Sequence, residues 1–207
     1  MKEVAGQTTT SYEEGRGDYL DIPDPFSHFR APYPDHCTRR VFLADGSLAA
    51  IRAIKAEDAP LLVTFFNTLS PETVFFRFLA HLRALPLEWV RHFTVIEYDR
   101  DVALVATRKD EKGEHIVGVG RVMRHTGSID GELAVVVADD RQGRGLGKIL
   151  VEDCVRYSAE LGMRRIWGVI SRDNARALAL AEKLGFSISR EAGGDLYEVE
   201  RRLQPAG

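Results

Sequence analysis

Apolar and polar positions change rhythm three times along the chain. Residues 1–36 hold no sustained period of 2 or 3.6 and carry four of the eight prolines, as in "DIPDPFSHFRAPYP", so they predict an irregular extension. From Thr38 the pattern sharpens. "RRVFLADGSLAAIRAI" is two short apolar runs around Asp45-Gly46, the signature of a β-hairpin, and a folded domain is expected over residues 37–207. Leu61, Leu62, Phe65, Phe66 and Leu69 recur at helical spacing behind Pro60. "SPETVFFRFLAHL" predicts a second helix with Ser70 as N-cap and Pro71 at its first position, and "PLEWVRHFT" a short third one.

The middle of the chain turns to β-branched runs. "VALVATR", "HIVGVGRVMRH" and "ELAVVVA" are separated by "EKGE" and "HTGSIDGE", which predicts an antiparallel meander. Beyond it, Leu146, Ile149, Leu150, Cys154, Tyr157 and Leu161 repeat every three or four residues, while Lys148, Glu152, Arg156 and Glu160 alternate in sign on the other side. Gly162 closes that helix, "RRIWGVIS" is a strand, "NARALALAEKL" a helix stopped at Gly185, and "FSISRE" and "LYEVERRL" are strands around Gly193-Gly194. The class is α+β (mixed α/β), with a β-α-β-α-β second half.

Composition narrows the function classes. With 207 residues, 44% of them hydrophobic, the chain suits one core and one domain with an extension. No run approaches the roughly 20 apolar residues of a membrane span, and the N-terminus lacks the apolar centre of a secretory signal, so a cytoplasmic protein with no membrane partner is expected. Cys37 and Cys154 have no partner at metal-ligand spacing and read as free thiols. The six histidines are scattered, and neither G-x-S-x-G nor H-E-x-x-H occurs, so no metal is expected. Of the formal net charge of −3, all falls on residues 1–30, where six acidic residues face three basic ones. A balanced remainder carries no footprint for nucleic acid. Oligomeric state is left open.

The one dense chemical signal is "DDRQGRGLGK" at Asp139–Lys148, directly after "ELAVVVA". Strand, glycine-rich turn and helix together hold phosphate, because the first helical turn leaves N–H groups unpaired and carries partial positive charge. A P-loop is excluded: Gly143 and Gly147 stand one residue too close, and Ile149 occupies the hydroxyl position. A dinucleotide fingerprint is excluded too, since the loop reads G-x-G-x-G and no acidic residue ends the next strand.

Gln142-Gly143-Arg144-Gly145-Leu146-Gly147 fits [QR]-x-x-G-x-[GA], and here the chain resembles the GNAT superfamily of acetyl-CoA-dependent acyltransferases. The segment Asn174, Ala177, Leu180 and Glu182-Lys183-Leu184-Gly185-Phe186 is similar to a second motif of that superfamily. The first half, with "LADGSLAAIRAIKAEDAPLLVTFFNTLSPETVFFRF" and "IEYDRDVALVA", resembles the acyltransferase domain of Pat-type bacterial protein lysine acetyltransferases, a likeness running from Tyr33 to Leu203. That resemblance implies a GNAT fold, a central, mostly antiparallel mixed sheet of about six or seven strands flanked by helices.

It also implies the chemistry: acetyl-CoA as co-substrate, and an N-acetyltransferase acting on a primary amine, foremost the Nε of protein lysines. A lysine amine with pKa near ~10.4 is almost wholly protonated at neutral pH, so a base must remove that proton where the amine meets the thioester. A carboxylate beside the strand presenting the acyl group would serve; Glu132 opens "ELAVVVA", and the resemblance places the general base there, with Glu97 and Asp99 in reserve. By the same resemblance the backbone N–H groups of Val135, Val136 and Val137 face the thioester, and Gln142, Gly143, Arg144, Gly145, Leu146, Gly147 and Lys148 grip the pyrophosphate. Asn174 meets the cofactor as well as capping its helix. One departure stands out. Ala181 replaces the tyrosine that protonates the departing thiolate in many relatives, leaving Tyr197, Ser171 or water for that role. A small-molecule amine as acceptor, and a non-catalytic acyl-CoA sensor, remain alternatives.

Overall fold

A computed structural model of the chain describes residues 31–125, 127–190 and 194–204. Most of the expected extension, residues 1–30, lies outside the described residues, as do Thr126 and Gly193 from two of the expected turns. In chain order the elements are β1 (Arg39–Phe42), β2 (Leu48–Ala53), α1 (Ala59–Thr68), α2 (Pro71–Phe78), α3 (Leu87–Thr94), β3 (Val102–Asp110), β4 (Gly113–Arg124) and β5 (Asp130–Val137). They continue with α4 (Leu146–Glu160), β6 (Arg165–Ser171), α5 (Ala175–Lys183), β7 (Ser187–Arg190) and β8 (Leu196–Arg202).

The strands form one sheet in the order β1-β2-β3-β4-β5-β6-β8-β7. Every adjacent pair is antiparallel except β5 with β6. Eight strands pair where about six or seven were expected, the four-residue β1 and β7 making up the difference at the edges. Local chemistry sets the boundaries. Between β1 and β2, Asp45 accepts the Ser47 N–H at 3.0 Å and Gly46 takes φ +76°. At α2, the Ser70 hydroxyl accepts the Thr73 N–H at 3.2 Å, with Pro71 leading the first turn.

The sheet is covered on both sides, which is why β3 is buried in a continuous run from Val102 to Thr107 and β4 from Ile116 to Val122. One face packs α4 and α5 through Leu146, Leu150, Cys154 and Ala181. The other packs α1 through Leu62 and Phe65. The α4 side is especially close. A Cβ on Gly118 would sit 3.0 Å from Leu150 Cδ1, and one on Gly120 would sit 3.0 Å from Cys154 Sγ, so two glycines at the strand period let the helix approach. Both cysteines are free and buried, and burial pushes both thiols above their ordinary range.

Two buried acids tie the first half to the sheet. Asp153 of α4 accepts from Arg39 of β1 at 2.8 Å and from Arg156 at 2.9 Å. Asp58, ahead of α1, takes both ends of the Arg52 guanidinium at 2.6 and 2.7 Å together with the Lys55 N–H at 2.9 Å. Its side chain is 2% exposed and that of Arg52 12%, so removing Asp58 leaves the Arg52 guanidinium with the longer Glu114 contact at 3.4 Å as its ion pair. Asp58→Ala is expected to cost about 3 kcal/mol or more of stability, read as a lowered denaturant midpoint with an unchanged slope.

Candidate active site

The parallel ladder between β5 and β6 is short. It pairs Asp130 with Arg165, Gly131 with Ile166 and Glu132 with Trp167, and there it stops. β5 stays with β4 as far as Val137, while β6 turns to β8 as far as Ser171, so the two strands part like a V above the Glu132–Trp167 rung. Gly168 stands where they separate: a Cβ there would lie 2.8 Å from the Leu133 carbonyl oxygen. The Ala138 N–H donates to Val117 of β4, and the strand period of two therefore turns the Val136 and Ala134 amides toward β4; on the other edge, beyond the last β5–β6 rung, it turns those of Val135 and Val137 into the opening.

The opening is a cavity of about 280 Å³. Glu132 to Val135 form one wall, Gly168 to Ile170 the second, and Asn174, Ala177, Leu180 and Ala181 of α5 the third; Phe76 to Leu79 of α2 close it. The Glu132 carboxylate is about half exposed and lies 3.7 Å from His125 Nε2, whose ring stacks on Trp167. Facing it is a cation the sequence did not single out. Arg77 sits over the Phe78 ring at 4.7 Å; burial brings its guanidinium down to about 10, against the opposing pull of Glu132. Arg121 of β4 is close enough to repel it, is 2% exposed, and is brought down to about 9, again chiefly by burial. It is satisfied by the Phe93 carbonyl at 2.7 Å and by the Phe93 ring.

At the wide end of the V lies the glycine loop. Gly143 and Gly145 take φ +74° and +88°, α4 starts with no capping side chain, and its first turn is held by Ile149 N–H to Gly145 O at 3.1 Å. Gly147 approaches both strand and helix, since a Cβ there would meet Leu180 at 3.6 Å and Val137 at 3.8 Å. Gln142 is the bracket. Its Nε2 donates to Val137 O and to Thr73 Oγ1, each at 3.2 Å, and its Oε1 accepts from Arg176 at 3.1 Å. Asp139 caps α2 from the same loop, accepting the Ser70 N–H at 2.9 Å, the Ser70 hydroxyl at 2.6 Å and the Thr73 hydroxyl at 2.7 Å. Burial opposes its ionisation, but these hydrogen bonds carry it below the usual carboxylate range.

The remaining residues of interest divide. Asn174 lines the cavity while its side chain accepts the Ala177 N–H at 3.1 Å. Arg144 is ion-paired with Asp45 of the β1–β2 turn, and Lys148 lies 3.6 Å from Glu152. Glu97, Asp99, Ser171 and Tyr197 do not line the cavity. Among the described residues no cluster of His, Cys, Asp and Glu is arranged to hold a metal ion, and no helix is long and apolar enough to cross a membrane.

Known proteins share this architecture. The acetyltransferase (GNAT) family profile matches residues 65–186. An acetyltransferase of Pseudomonas aeruginosa is 30% identical over 175 residues, 84% of this chain and 93% of that protein. Among solved structures, the GNAT domain of S. lividans PAT superposes with a TM-score of 0.76 at 27% identity, over 83% of this chain and 100% of that one. A phosphinothricin acetyltransferase from Sinorhizobium meliloti in complex with AcCoA superposes at 0.61 with 22% identity, over 75% and 88%. With a strand pair opened beside a glycine-led helix and most of its length matched, the chain belongs to the acetyltransferase (GNAT) family and is an N-acetyltransferase.

Proposed function

We propose that the protein transfers the acetyl group of acetyl-CoA directly to the Nε of protein lysines, with Glu132 as general base. The observation that carries the reading is the place of Glu132 on the last rung before β5 and β6 part, among the residues that line the cavity. The thioester supplies an acetyl group on a good leaving thiolate, with thiol pKa near ~8.5. The lysine nitrogen attacks the thioester carbonyl carbon; the C–N bond forms, the C–S bond breaks, and the proton shed by the amine passes to Glu132 directly or through one water.

The chain's other residues bind and orient. The Val135 and Val137 N–H groups, turned into the opening, are donors for a carbonyl oxygen that gains negative charge. Val136 serves by keeping β5 on β4. The uncapped start of α4, from Gln142 to Lys148, offers backbone N–H groups and the positive end of the helix to a pyrophosphate, with Lys148 adding charge and Arg144 partly committed to Asp45. Asn174 borders the same channel. Because neither Tyr197 nor Ser171 reaches the cavity and position 181 is alanine, no protein acid is assigned to the leaving thiolate, which needs none at neutral pH. A protein acceptor is supported by the likeness to the PAT domain and by exposed Leu79, Leu87 and Trp89, at or near the α2 wall.

Three measurements test this. Glu132→Gln is expected to lower turnover by roughly 10²-fold or more while calorimetric affinity for acetyl-CoA stays within a factor of about two; normal turnover would place the base elsewhere. Gly145→Asp meets no neighbour within 4 Å, but at φ +88° any side chain is strained, by about 1–3 kcal/mol. Aspartate is among the residues that adopt left-handed backbone, so the fold should survive at lower stability, checked by thermal unfolding. Its carboxylate at the anion site should weaken acetyl-CoA binding about tenfold or more, and unchanged affinity would remove the loop from the donor site. With labelled acetyl-CoA, native bacterial lysate proteins should compete successfully against a library of small amines; label confined to the amines would assign a small-molecule acceptor instead.

A further inference from the structure

The charges around the cavity do not balance. Arg77 has no hydrogen bond and no carboxylate within ion-pair distance among the described residues, although both Arg77 and Glu132 line the cavity. Its neighbour Arg121 contrasts with it, with carbonyls and a ring on its donors. Arg77 is partly buried, and a guanidinium withdrawn from most of the solvent with no protein acceptor is one that can gain from meeting an anion. The stacking explains half of the arrangement: the Phe78 and Phe93 rings, 4.7 and 5.9 Å from the Arg77 Cζ, occupy the face of the plane. The edge, where the five N–H donors lie in a fork matched to carboxylate, remains. Those donors are not sealed in. The buried side-chain polar atoms without a partner, among the described residues, are Arg124 Nε and Ser158 Oγ, so the Arg77 donors keep some access, and Arg77 is one of the residues that line the cavity.

We infer that Arg77 is a specificity residue whose guanidinium receives a carboxylate carried into the cavity by one of the two reactants. The inference rests on the proposed transfer site, because it takes Glu132 and the parted strands as the place where the reactants meet. Two sources share this chemistry: an acyl chain ending in a carboxylate, entering with the donor, and a carboxylate placed near the acceptor amine. Arg77 lies on α2 opposite the base, within reach of either, and its stacked face fixes the plane in which the anion is read. With Arg121 beside it already satisfied, Arg77 is the cation at this wall with donors to spare.

The test compares wild type, Arg77→Met, which keeps bulk over the rings, and Arg77→Lys, which keeps charge without the fork. In the donor arm, succinyl-CoA is compared with butyryl-CoA, both by calorimetry and as substrates. In the acceptor arm, carboxylate-bearing amines are compared with their primary amides, as free amino acids and as lysine peptides with Glu or Gln beside the lysine. Wild type should favour the carboxylate in one arm by roughly tenfold to a hundredfold, the range of one charge-assisted hydrogen-bonded pair. Arg77→Met should erase that preference and Arg77→Lys retain part of it. A purely structural Arg77 would lower both members of each pair together and leave the ratio unmoved. A ratio near one in both arms for wild type, or a preference that survives Arg77→Met, would overturn the assignment. Failure of every lysine peptide would overturn the lysine reading alone, since thioester calorimetry needs no turnover; equal thioester binding, with no acceptor preference, would then overturn Arg77 too.

Discussion

Everything at the site follows from one broken ladder. A sheet is stable because each strand satisfies its neighbour's backbone groups, and leaving such groups unpaired in the interior costs about 1–3 kcal/mol apiece. This sheet keeps its pairing across eight strands and gives it up between β5 and β6 after three rungs. The groups of Val135 and Val137 are thereby left facing a cavity, where a ligand or water can meet them. The absence of a side chain at Gly168 lets β6 leave β5 at that level, and β8 takes over its pairing. The opening is a property of the fold, stabilised from outside itself.

The stabilisation comes from polar brackets that cross between elements. Gln142 joins the end of β5, the start of α2 and the start of α5. Asp139 holds the first turn of α2 through three hydrogen bonds. The β1–β2 turn reaches the same loop, with Ala44 N–H donating to Arg144 O at 3.1 Å. The loop that would hold the donor and the helix that closes the cavity are therefore fixed to each other by side chains, with strand β5 between them. A shift of one moves the other.

How much of this was readable in the residues depends on whether a feature is local. The glycine spacing from Gly143 to Gly147, the Ser70–Pro71 helix start and the Asp45–Gly46 turn are local statements of backbone geometry, and each is found where its chemistry puts it. Glu132 was marked by its place at the head of a strand, and it lies on the cavity wall. What the order of residues does not carry is register. Whether Val135 or Val136 turns its amide into the opening depends on pairing with β4. Arg77 in "TVFFRF" and Arg121 in "VGRVM" read as single cations inside apolar runs, and only the packing of α2 against β5, the strand next to β4, makes them neighbours. A lone arginine within such a run was the available signal. Tyr197 was a reasonable acid by residue type, yet its strand places it away from the cavity.

The two thiols acquire a meaning in this setting. A thioester exchanges its acyl group with any accessible thiolate, which is a better nucleophile toward it than a protonated amine. Cys154 is fully buried and Cys37 nearly so, and removal from water holds both in the protonated form. Packing chosen for the core thus also leaves the chain without an accessible thiolate that would divert acyl groups onto itself.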